Sequence, residues 1–239
     1  QLGDTAKGFH YRIKVIKSPN ANAFMTPTGS IYIESGLFSV VQNSNQLRLV
    51  LAHEAKHGLD RDIVYWHKKQ RDETTWLKLF QMASGPALAV AVHETDSSTG
   101  KLIVNVATGA DLLISASYLA SVTGYAKHDE IECDNYAINV MHQHGYSVGE
   151  AKKFFENFKA EQDKYEKGFQ THLFSSHESA EQRVARVDEF EKANGPQKPF
   201  HFNVRVEDPY QRVTYGVLKE NARLNVRVGQ IQHALDDLE

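Results

Sequence analysis

"LAHEAKHGLDRD" spans Leu51–Asp62, and its reading decides how the rest of the chain is understood. His53 and His57 stand four residues apart, about one helical turn, so both project from the same face of a helix. Glu54 is turned about 100° away from His53. Zinc takes imidazole nitrogens at about 2.0–2.1 Å, so the two rings can share one ion with a carboxylate beside it. This is the HExxH pattern, two ligands and a general base on one turn. The preceding "QLRLVLA" (46–52) is strongly apolar, so the helix is expected to be buried around His53. Buried imidazoles and carboxylates need partners or a metal. In a chain with 12 His, a chance HExxH has a probability on the order of a few per cent, so the motif needs support from elsewhere.

Working outward, the motif sits on a helix expected over 45–69, capped by Asn45, with Leu47, Val50, Leu51 and Val64 as its apolar positions. Ahead of it, residues 9–17, 22–27 and 30–35 read as strands, the last two joined by a turn at Pro27-Thr28-Gly29. Ser35 is placed to cap a short helix in "SGLF". Residues 72–84 read as a helix. The interval 85–124 reads either as two helices joined by a loop at 95–100 or as a β-hairpin. Within it, Leu102–Gly124 is long enough to span a bilayer, but Asn105, Thr108, Asp111 and several Ser and Thr make lipid costly. A buried core helix is the preferred reading, with membrane contact as the alternative. Helices are expected at 127–144, 147–166 and 179–193, the last opened by a capping box at Ser179 and Gln182. A strand at 200–206 and a helix over 211–238 close the chain. On that helix Leu224, Val228, Ile231, Leu235 and Leu238 form a seam that either packs back on the domain or mediates self-association.

The 239 residues carry a net charge of −3 and 41% hydrophobic residues, a globular composition with no basic stripe, so nucleic acid is not an expected partner. Cys133 is the only cysteine, which excludes an intrachain disulfide and a Cys-based zinc knuckle. The chain opens on Gln1 with no signal-peptide pattern, as expected of a processed product.

A catalytic zinc site needs a third protein ligand and an open position. In "HDEIECDNYAINVMHQHGY" (128–146) the residues Glu130, Asp134, Ala137, Ile138 and Met141 share one helical stripe. Two carboxylates among core positions call for a cation, so Glu130 is the expected third ligand. Asp134, one turn on, is expected to accept a hydrogen bond from a ligating histidine and fix its tautomer. Glu132 points away and reads as a solvated charge. His142 and His144 cannot share a helix face and read as surface residues. Gly58 is expected to let the Glu130 helix approach closely.

Four blocks now resemble metallopeptidase family forty-eight, the HtpX and CaaX prenyl protease group of gluzincins. They are "NANAFMTPTGSIYIESGLF" (20–38), "LVLAHEAKHGLDRD" (49–62), "HDEIECDNYAI" (128–138) and "SSHESAEQRVARV" (175–187). Cys133 stands where alanine is usual and Glu178 where proline is usual. The resemblance implies one zinc per chain on His53, His57 and Glu130, with Glu54 as base and Asp134 behind the ligands. It also implies His177 and Arg183 near the metal, with His177 either stabilising an oxyanion or serving as a fourth ligand in a resting state.

The expected fold is therefore α+β and predominantly helical. A zincin-like (gluzincin) catalytic domain over 1–194 would pack a small N-terminal β-sheet on the HExxH helix, with 195–239 as a C-terminal extension. The expected function is zinc-dependent hydrolysis of peptide bonds in extended or misfolded proteins, with substrate pairing along "NAFMTP" or "SIYIES" as an edge strand. The alternative is a metal-bearing, chaperone-like module with suppressed peptidase activity. The resemblance points to the extracytoplasmic members, periplasmic or associated with a membrane through a segment absent from this chain.

Overall fold

A computed structural model describes residues 11–62, 114, 117, 118, 120, 127–164, 179–195 and 209–238. Strands β1 (Arg12–Ile16), β2 (Ala23–Met25) and β3 (Ser30–Glu34) form one sheet in the order β1-β3-β2. β1 runs parallel to β3, and β2 antiparallel to it. The β2–β3 turn closes where the Gly29 N–H donates to Thr26 O, and Gly29 takes φ 85°, which glycine adopts at no steric cost. "SIYIES" is thus the central strand. The expectation that it could be an edge is corrected, because β1 and β2 take both of its hydrogen-bonding sides. "NAFMTP" supplies the edge strand β2.

Ser35 does not cap a helix as expected. A short 3-10 helix runs over Ser35–Ser39 with Glu34 at its N-cap position and no side-chain cap. The Ser35 hydroxyl instead donates to Ser18 O at 2.7 Å. Helix α1 (Ser44–Asp60) is capped by Asn43 rather than Asn45, since the Asn43 side chain accepts from the Asn45 and Gln46 N–H groups. It also ends earlier than expected: Arg61 takes the left-handed conformation, φ 60° and ψ 35°, and stops it.

Beyond it lie α2 (Lys127–Gln143), α3 (Gly149–Lys164) and α4 (Ala180–Asn194), close to the expected spans. The capping box of Ser179 and Gln182 is formed. The expected 211–238 helix is two helices, α5 (Tyr210–Arg227) and α6 (Ile231–Asp236), because the chain turns at Gly229 with φ 80°. Its seam is therefore broken at the turn, and Val228, Ile231, Leu235 and Leu238 are each more than half exposed. The other side of α6 docks: buried Asp237 accepts from Asn221 and Asn225 at 2.8 Å each. α5 packs on the 3-10 helix, and the Tyr210 hydroxyl donates to Val41 O at 2.8 Å. The expected helix at 72–84, the 95–100 loop and the 200–206 strand lie outside the described residues. Ile114, Ser117, Tyr118 and Ala120 are helical, in keeping with the helical reading of that stretch. Among the described residues no helix is long and apolar enough to cross a membrane.

One core holds these parts in place. Ala23, Met25, Ile31 and Ile33 meet Leu49, Val50, Ala52 and Ala55 of α1, continuing into Ala137, Ile138 and Met141 of α2 and Phe154 and Phe155 of α3. Each large side chain buried fully contributes about 1.5–3 kcal/mol. α1 therefore lies between the sheet and α2, which sets the depth of its histidines. Gly58 faces the sheet rather than the Glu130 helix: a Cβ there would meet the Met25 side chain at 2.5 Å. At Gly36 a Cβ would meet the Pro19 backbone oxygen at 2.1 Å.

Two predictions follow from this packing. Backbone cannot yield as a methionine end can, so Gly36→Ala should cost about 3 kcal/mol or more, and Gly58→Ala clearly less. Urea unfolding of both variants checks the order. Glu34 is buried, and burial raises its carboxyl above the usual range against the opposing hydrogen bonds from Ser18, Asn22 and Asn20. Its contribution to stability is complete below the unfolded-state value and is lost as pH rises through the raised folded value. Glu34→Gln should therefore melt above wild type at pH 8 and level with it at pH 4. Equal melting temperatures at pH 8 would contradict the buried, proton-retaining carboxyl.

Candidate metal centre

α1 and α2 pack side by side, and this brings His53, His57 and Glu130 together, all buried. His53 Nε2 and His57 Nε2 lie 3.2 Å apart. Glu130 Oε2 is 3.5 Å from the first, and Glu130 Oε1 is 3.6 Å from the second. Three ligands at about 2.05 Å on a tetrahedral ion stand about 3.3–3.4 Å from one another. The spacings are close to those values, with one Glu130 oxygen facing each imidazole, and one ligating atom from each of the three side chains lies within 4.8 Å of the other two.

The electrostatics favour positive charge at that point. Burial opposes a charged His53, but hydrogen bonds to Asp134 and Glu130 outweigh it and push the imidazole up to about 9. Burial likewise opposes an ionised Glu130, yet His53, His57 and Arg183 hold its carboxyl well below the usual range. Glu54 is buried on the neighbouring face of α1, and burial pushes its carboxyl up to about 7 despite the two histidines. The Met25 N–H donates to this carboxylate. In the β2–β3 pairing, Glu34 N bonds Asn22 O and Thr26 N bonds Ser30 O. Alternation then turns the Ala23 and Met25 backbone groups away from β3, toward Glu54.

A second layer of side chains surrounds His53, His57 and Glu130. His53 Nδ1 lies 3.0 Å from Asp134 Oδ1. Arg183 Nη1 donates to the same oxygen at 2.9 Å, and Nη2 donates to Glu130 at 3.3 Å. Arg186, one turn along α4, donates to Asp134 Oδ2 at 2.9 Å. His57 Nδ1 lies 2.8 Å from Asp62 Oδ2 and 3.4 Å from Cys133 Sγ. His177 lies outside the described residues. Glu132 is exposed, and His142 packs edge-on to Phe190 while His144 lies 2.9 Å from Val140 O, so none of them approaches the centre.

Sequence reading missed Asp62, Arg186 and the approach of Cys133. Arg186 had a signal, being three residues beyond Arg183 on an amphipathic helix. Asp62 had none, since five residues past His57 would leave the helix face unless the chain turned, and arginine does not announce a left-handed turn.

A buried helix with two histidines and a carboxylate, with a further carboxylate from α2, is the arrangement that a zincin-type metal site would use. Comparison with known proteins agrees: the profile of Peptidase family M48 matches residues 3–191, and the chain belongs to that family. It is 23% identical to metalloprotease LoiP of Escherichia coli over 81% of this chain and 68% of that protein. It is 23% identical to the mitochondrial metalloendopeptidase OMA1 of Schizosaccharomyces pombe, over 75% of this chain and 46% of that protein. A putative beta-barrel assembly-enhancing protease of Vibrio cholerae is 25% identical over 59% of this chain and 27% of its own length. The matched part is thus less than half of the latter two relatives.

Removing Arg183 leaves two buried carboxylates under-compensated, whereas Arg186 is partly exposed. Arg183→Ala should cost about 3–5 kcal/mol. Arg186→Ala should cost about 1 kcal/mol. Urea unfolding of the metal-free variants measures both, and similar losses would show that the two cations share Asp134 equally.

Proposed function

We propose that the protein is a zinc-dependent endopeptidase acting on extended or misfolded polypeptides. The observation that carries this reading is the buried cluster of His53, His57 and Glu130, one ligating atom from each within 4.8 Å of the others, with Glu54 beside it. Zinc bound there would lower the pKa of a water and polarise a scissile carbonyl. Glu54, with its carboxyl pushed up to about 7, is suited to take a proton near neutral pH and return it to the leaving amine. Asp134 and Arg183 hold His53 and Glu130 in place. His177 is assigned to the developing oxyanion or to a resting-state ligand position, as the family resemblance implies.

The place of β2 at the end of the sheet order, next to Glu54, supports an extended substrate. A segment pairing along the side of β2 turned away from β3 would lie beside Glu54, and such pairing favours unfolded segments over folded proteins. An extracytoplasmic setting and a role in protein quality control belong to the same reading. Their support is the Vibrio relative, whose name speaks of β-barrel assembly.

The test joins metal content to cleavage. Wild type should hold about one zinc per chain and cleave an unfolded casein, while Glu54→Gln should keep the zinc and lose activity by about 100-fold or more. Zinc near one with no Glu54-dependent cleavage would favour a metal-bearing, chaperone-like module instead. His177→Ala should change activity without releasing the metal, and unaltered activity would remove its assigned role.

A further inference from the structure

We infer that Asp62 is a positioning residue for the metal centre, setting the tautomer and basicity of His57. The inference rests on the zinc reading above and adds a residue outside the expected ligand set. Asp62 Oδ2 lies 2.8 Å from His57 Nδ1, and both side chains are buried. A neutral imidazole that holds its proton on Nδ1, toward this carboxylate, presents its Nε2 lone pair toward His53 and Glu130.

The backbone shows how this contact is reached. On a continued helix Asp62 would sit about 140° around the axis from His57. Arg61 in the left-handed region turns the chain, with its N–H bonded to Gly58 O and His57 O, and Asp62 returns to the imidazole. That conformation is disfavoured for a residue that carries a Cβ. Such strain persists where the surroundings over-determine it, often at functional sites.

The two histidines are consequently unequal. Asp134 divides its charge among His53, Arg183 and Arg186. Among the described residues Asp62 forms no ion pair with Lys or Arg, so its carboxylate is not shared with cations as that of Asp134 is. Cys133 Sγ also approaches Nδ1, at 3.4 Å, whereas Asp62 Oδ2 lies at the hydrogen-bond distance of 2.8 Å.

The experiment measures zinc affinity by competition with a chromophoric chelator, and the visible spectrum of the cobalt-substituted protein. Wild type, Asp62→Asn, Asp62→Ala, Asp134→Asn and His57→Ala are compared. Asp62→Asn keeps an acceptor and loses the charge, and should bind zinc about 10-fold more weakly. Asp62→Ala should approach the 100-fold end of the range for lost outer carboxylates. Asp134→Asn should lose less than Asp62→Asn. The cobalt bands should shift in both Asp62 variants while the metal-free melting temperature of Asp62→Asn stays near wild type. Zinc affinity within twofold of wild type in Asp62→Ala, with unshifted cobalt bands, would overturn the inference while His57→Ala still loses the metal. A wild type that binds no zinc would instead overturn the metal reading itself.

Discussion

The buried charge of Asp134 is the constraint around which this fold is organised. One carboxylate meets His53 from α1 and Arg183 and Arg186 from α4. It thereby ties together elements that the chain presents far apart. An ionised carboxylate without such partners would be expensive in an apolar interior, and so would an unpaired Arg183. Each therefore makes the others tolerable. The packing of α1 against α2 and the placing of α4 cannot be varied separately without exposing one of these charges to an apolar wall. Arg183 also lies over the Phe155 ring, with 5.6 Å to its centroid, so the knot is locked into the aromatic part of the core on α3.

That arrangement gives the site its two contrasting faces. Behind the histidines stand acceptors, with cations beyond them on one side. In front stand Glu54 and the outward edge of β2, whose Met25 N–H already bonds the Glu54 carboxylate. The rear is built for rigidity, since each imidazole Nδ1 is engaged and only Nε2 is left to turn toward Glu130. The front carries a three-residue strand, buried along its length, whose outward side is turned away from β3. Rigidly held imidazoles and carboxylates beside the strand at the end of the sheet are in keeping with membership of this peptidase family.

Much of this was legible in the sequence because it follows from helical periodicity. His53, Glu54 and His57 declare themselves by spacing, and Glu130 and Asp134 by being carboxylates on a stripe otherwise given to Ala137, Ile138 and Met141. The capping box at Ser179 was equally plain, since it is local chemistry. What periodicity could not supply were the turns. Arg61 ends α1 in a conformation that sequence would assign to glycine or asparagine, and Gly229 ends α5 inside an otherwise continuous seam. Sheet order was also hidden: β3 reads as a plausible edge until β1 is seen to join it in parallel. Gly58 was noticed for the wrong neighbour, because a single helix does not reveal which of two packed layers its bare face meets.

The C-terminal helices show the same logic applied to a weaker interface. α6 and its C-cap residue turn the polar side chains of His233 and Asp237 inward beside Ala234 and leave Ile231 and Leu235 outward. The inward face is held by hydrogen bonds rather than by apolar burial, with Asn221 and Asn225 donating to Asp237. Such a network specifies one docking position, because a shift of one residue would leave a buried carboxylate without its donors. It adds little hydrophobic stabilisation of its own. The α5–α6 pair is thus positioned by polar geometry against the 3-10 helix that follows β3. Through that helix it bears on the sheet whose far edge faces Glu54.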